Sequence, residues 1–113
     1  MNEYMLILRH EDVSNKVSPE QMEVWMKQTM DWIGGIAAQN KFVGSNGLSM
    51  KGAKVVGHKN IVTSGPFGDI KETIGGYFIV KAASIDEAVE FAKGCPILQG
   101  EGNTVEVRKI GHN

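Results

Sequence analysis

GYFIVKAASIDEAVEFAKG, residues 76–94, carries two secondary structures back to back. Tyr77 to Val80 are apolar at consecutive positions, in a run too short for a helix and rich in strand formers, so Gly76 to Ala82 reads as a buried strand. Ser84-Ile85-Asp86-Glu87 follows at once as a capping box, in which the hydroxyl accepts from a free N–H of the first turn and the carboxylate reaches back. Ile85, Ala88, Val89 and Ala92 then share one face, Gly94 stops the helix, and Pro96 lies just beyond. Thr104 to Ile110 alternates, with Val105 and Val107 on one side and Glu106 and Arg108 on the other, as in a half-exposed strand. Strand, capped helix and strand make one half of a split βαβ sheet.

The other half lies upstream. Residues 3–9 (EYMLILR) form a short apolar run that predicts a buried first strand. Ser18-Pro19-Glu20-Gln21 opens a helix: Ser18 caps, Pro19 needs no donor at the first helical position, and Gln21 completes a capping box. Met22, Trp25, Met26, Thr29, Met30, Ile33, Ile36 and Ala37 recur at three- and four-residue steps and predict the buried stripe of a helix ending near Asn40. Trp25, Trp32 and the methionines at 22, 26 and 30 read as core at this spacing. Gly34-Gly35 costs about 1 kcal/mol per glycine relative to alanine, so close packing or a bend is expected there. Between the halves, Phe42-Val43 predicts a brief strand, and Ala53–Val56 with Ile61–Thr63 a hairpin turning at His58-Lys59-Asn60.

The order is strand, helix, strand, inserted hairpin, strand, helix, strand. It predicts an α+β, ferredoxin-like split βαβ sheet with both helices on one face. The strands at 4–8 and 77–80 are apolar on both sides, where a solvated face would alternate. A second copy of the same sheet is the economical cover, giving a homodimer, a dimeric α/β barrel whose inner face would line any pocket.

Composition narrows the function. With 113 residues, 42% hydrophobic and 22% charged, the chain is expected to form a single domain over 1–113. Twelve Lys and Arg stand against 13 Asp and Glu, a net charge of −1 without a basic run, so nucleic acid is not an expected partner. The longest apolar stretch, Tyr4 to Leu8, is far below the roughly 20 residues of a membrane span, so no membrane partner and a cytoplasmic location are expected. One cysteine, Cys95, and three scattered histidines predict neither a disulfide nor a bound metal. Cys95 lies beside a helix stop with only Lys93 near it and reads as a packing residue, not a reactive thiol. No Gly-rich phosphate motif leads into a helix, and no cofactor is expected.

Thr63-Ser64-Gly65-Pro66-Phe67-Gly68-Asp69-Ile70-Lys71-Glu72, backed by Gly75-Gly76-Tyr77, resembles the signature of the DGPF family of YCII-related proteins. The likeness extends to the first strand ending in Arg9, Trp32-Ile33-Gly34-Gly35, the Ser84–Gly94 helix, Cys95-Pro96-Ile97 and Val105–Arg108. It implies a dimeric α+β barrel and leaves the choice between binding module and enzyme open. The acidic residue that usually opens the signature is Ser64 here, which puts any mechanism needing a carboxylate at 64 in doubt.

Gly65-Pro66 stiffens a turn that can hold Phe67, Asp69, Lys71 and Glu72 in defined directions beside Tyr77. Asp69 or Glu72 is a candidate acid/base, while Lys71 or Arg9 would neutralise an anionic substrate. The same loop charges could instead anchor the loop structurally. Arg9 ends an apolar strand, where a guanidinium calls for a carboxylate such as Glu72 or Glu106, or a ligand anion. Histidine suits acid/base work, so His10 is a further catalytic candidate, whereas His58 falls in a turn and His112 in the tail. Ser64, Phe67, Lys71, Tyr77 and Arg9 are the candidate binding residues. A small-molecule module is the first expectation, and a small enzyme acting on an anionic or carbonyl substrate the second.

Overall fold

The computed structural model describes residues 1–10, 17–49, 51–66 and 73–111. Its elements are β1 (Asn2–Arg9), α1 (Pro19–Ala37), β2 (Phe42–Gly47), β3 (Lys54–Val56), β4 (Val62–Ser64), β5 (Ile74–Ala82), α2 (Ile85–Lys93) and β6 (Thr104–Lys109). Four strands form one antiparallel sheet in the order β2-β5-β1-β6, and β3 pairs with β4 in a separate hairpin. With the hairpin set aside, this is the ferredoxin-like split βαβ arrangement in an α+β chain.

Both helices begin on their predicted caps. Ser18 Oγ accepts from Gln21 N–H at 3.1 Å, with Pro19 in the first helical turn. Ser84 Oγ accepts from Glu87 N–H at 3.2 Å, while Glu87 Oε1 accepts from Ala83 N–H at 2.9 Å. Glu87 also holds Lys41 Nζ at 2.9 Å, tying α2 to the entry of β2. Hydrogen bonding to Lys41, with help from the Ala83 amide, sets the Glu87 carboxyl below its ordinary range.

The helices cover one face of the sheet. Tyr4, Leu6 and Leu8 of β1 and Phe78, Val80 and Ala82 of β5 are buried there with Ile36, Ala88, Ala92 and Cys95. Leu6 and Val80 are fully buried, each contributing roughly 1.5–3 kcal/mol through removal from water. Trp32 joins the layers: its ring meets Phe78 edge-on at 4.9 Å between centroids, and its Nε1 donates to the Phe91 carbonyl at 2.9 Å. Burial also raises the Cys95 thiol above its ordinary range.

The stripe on α1 is narrower than predicted. Ile36 is buried and Met22, Trp25, Thr29, Trp32 and Ile33 are half-buried, but Met26 and Met30 are 64% and 65% exposed and Ala37 is exposed. At about 100° per residue these three lie well round the helix from the Trp25–Ile36 line. The helix continues through Gly34-Gly35, and apart from the adjoining residues and the helix's own backbone no described atom lies within 4 Å of a Cβ built at either position. The close packing expected there is therefore not made among the described residues. Among the described residues, no helix is long and apolar enough to cross a membrane.

Candidate functional site

Alternation along β1 sends Met5, Ile7 and Arg9 to the face opposite the helices, and all three are half-exposed. Cross-strand register identifies their neighbours. Met5 stands opposite Ile79 and Arg108; Ile7 stands opposite Tyr77 and Glu106; and Asn46 of β2 stands opposite Tyr77. One row therefore runs Asn46, Tyr77, Ile7, Glu106 across all four strands. Asn46 Nδ2 donates to Tyr77 Oη at 3.1 Å. At the other end of the row Arg9 Nη1 donates to Glu106 Oε1, a diagonal ion pair. This face is thus apolar along Met5, Ile7 and Ile79 and bears a phenol, an amide, a guanidinium and a carboxylate at defined positions.

Of the two residue-level explanations for Arg9, the carboxylate partner is present, and it is Glu106. A guanidinium carries five N–H donors, so this contact through one Nη engages only part of its capacity. The side chains retain 27% and 45% of their exposure, so the pair is screened by solvent instead of locked inside the protomer.

His10 follows directly on β1, at the same end of the sheet, and its imidazole lies against Gly75 of β5. The sheet thus brings Arg9, His10 and Tyr77 to one region. Ser64 sits on the exposed hairpin opposite Lys54, with Lys54 Nζ 3.5 Å from its hydroxyl. Phe67, Asp69, Lys71 and Glu72 lie outside the described residues, as does His112. His58 occupies a short 3-10 turn between β3 and β4 and is exposed. Asn46 was absent from the sequence candidates: β2 holds two glycines within Phe42–Gly47 and shows no alternation from which a shared row with Tyr77 could be read. Among the described residues, no three His, Cys, Asp or Glu side chains are grouped as a metal site.

A family model described as the YCII-related domain matches residues 3–111. A Rhizobium meliloti (strain 1021) protein, described as uncharacterized, is 35% identical over 52 residues; the match covers 46% of this chain and 42% of that relative's length. Among solved structures, the 5-chloro-2-hydroxyhydroquinone dehydrochlorinase of Burkholderia phenoliruptrix AC1100, in complex with 2,5-dihydroxybenzoquinone, is similar at 18% identity and a TM-score of 0.49. That alignment covers 97% of this chain and 95% of the other.

Proposed function

The chain belongs to the YCII-related domain family, and on that premise we propose that it is a cytoplasmic, single-domain, small-molecule-binding or regulatory module acting as a homodimer. Its pocket forms near Arg9 and the 64–72 loop. The observation that carries this reading is the sheet face opposite the helices, where Met5, Ile7 and Ile79 are half-exposed and Arg9, Glu106, Tyr77 and Asn46 stand among them. An apolar floor with a few convergent polar groups is the usual composition of a small-molecule site. Two such faces closing about a two-fold axis remove the apolar floor from water and leave the polar groups lining the enclosed space.

The ligand class that suits Arg9 is a small anion or a carbonyl compound, since a guanidinium offers further directed donors to either. A second reading, an enzyme, draws on His10, placed at the Arg9 end of the sheet, with Asp69 or Glu72 sharing the acid/base work. The test is a thermal-shift screen of small carboxylates and carbonyl compounds. Arg9→Ala should abolish the shift of a hit, while Asp69→Asn and Glu72→Gln retain it and no turnover is seen. Turnover that disappears with either carboxamide variant selects the enzyme instead. A hit bound equally well by Arg9→Ala overturns the placement of the pocket.

A further inference from the structure

We propose that Gly75 is a positioning residue for His10: the chain carries glycine there so that the imidazole can occupy the space a side chain would fill. A Cβ built on Gly75 would lie 2.3 Å from His10 Nε2 and 2.8 Å from both Cδ2 and Cε1. The three nearest atoms all belong to one ring, and each distance is shorter than real Cβ contacts allow. A side chain at 75 and the imidazole in its present place therefore exclude one another.

Backbone conformation does not account for the glycine. The described glycines with positive φ are Gly52, Gly102 and Gly111, and Gly75 is not among them. Its neighbour Gly76 answers to a different constraint. A Cβ there would meet main chain, 3.0 Å from the Asn46 carbonyl oxygen and 3.3 Å from Gly47 Cα, where β2 passes close. Of two adjacent glycines, one yields room to a strand and the other to a ring.

The local register explains why the ring would be the part to move. Pairing of β1 with β5 shifts between Leu8 and Arg9, so that Leu8 faces Gly76 and Arg9 faces Ile74, leaving Gly75 as the extra residue of a bulge. Its carbonyl accepts from Leu48 N–H at 2.9 Å, which ties the bulge to the chain leaving β2. A methyl group at 75 thus presses on the end of a side chain and on a backbone tied to the chain leaving β2. The imidazole should swing away while the sheet stays intact. The importance of this seat for ligand chemistry rests on the function proposed above; the seating of the ring does not.

The test needs no ligand. His10 is assigned by its loss in His10→Gln, and its ring signals are followed by long-range proton–nitrogen NMR together with carbethoxylation by diethyl pyrocarbonate, read by mass spectrometry. In Gly75→Ala the His10 signals should move and its modification rate should change at least about twofold, with His58 unaffected, as expected for two groups in direct contact. Gly76→Ala should lower the melting temperature whether or not His10 is present. Unchanged His10 signals and rate in a folded Gly75→Ala protein overturn the proposal. If Gly75→Ala is itself destabilised, His10→Ala must restore its melting temperature, and failure to do so overturns the proposal as well. A displaced ring with ligand binding intact in both Gly75→Ala and His10→Gln removes His10 from the site and leaves the seat standing.

Discussion

Leu6 and Ile7 are neighbours on β1 that point to opposite faces, and replacing each by alanine separates folding from association. Leu6 is fully buried under the helices, so Leu6→Ala should cost about 2–5 kcal/mol of protomer stability through lost burial and an unfilled cavity. Ile7 is only half-covered within the protomer. Complete burial of an isoleucine is worth roughly 1.5–3 kcal/mol, and with part of that already gained, closure of the sheet face adds about 1 kcal/mol per copy. A two-fold interface uses the same residue twice, so in the proposed homodimer Ile7→Ala should weaken association by about 2 kcal/mol, close to 30-fold in its dissociation constant. Sedimentation velocity over a concentration series measures this directly, with urea unfolding as the companion measurement. An unchanged dimer constant in Ile7→Ala, or a folded wild-type protein that stays monomeric at high micromolar concentration, refutes the closure of this face.

Two further outcomes follow from the charged and thiol groups. Glu87 has a carboxyl pKa lowered by Lys41, so the stabilisation it brings is complete above its ordinary value of 4.5 and is lost as the pH falls through the lower folded value. The urea midpoint of the wild type should therefore exceed that of Glu87→Gln at neutral pH and converge on it in acid; a difference that stays constant with pH contradicts the assignment. Cys95 is buried with its thiol pushed up, so iodoacetamide at pH 8 should label it at least about tenfold more slowly in the native protein than in urea, and equal rates would place it outside the core.

The elements most legible in the sequence are those with local chemical markers. Ser18-Pro19 and Ser84 announce helix starts because free backbone donors need an acceptor within three residues, and that requirement is visible without any tertiary information. The run at 4–8 betrays a strand with two apolar sides. What depends on register was less legible. Met26 and Met30 have the spacing of core residues, yet a modest rotation of α1 places them outside, and only the sheet beneath decides that rotation. The row joining Asn46, Tyr77, Ile7 and Glu106 depends on three strand pairings, and the bulge at Gly75 alters one of them by a single residue. A cation at the end of an apolar strand demands a partner, which marks Arg9 in the sequence, but the pairing with Glu106 needs the β1–β6 alignment.

The position of β1 also bears on how the chain acquires its shape. It lies inside the sheet, hydrogen-bonded to β5 on one side and β6 on the other, and Arg9 and Glu106 are 97 positions apart in sequence. On a ribosome, the first strand emerges on the order of ten seconds before its last partner is made, with both hydrogen-bonding rims open. Closing so long a loop is entropically costly and slows folding. The nascent chain must therefore keep a sticky template waiting until the residues of β6 are made.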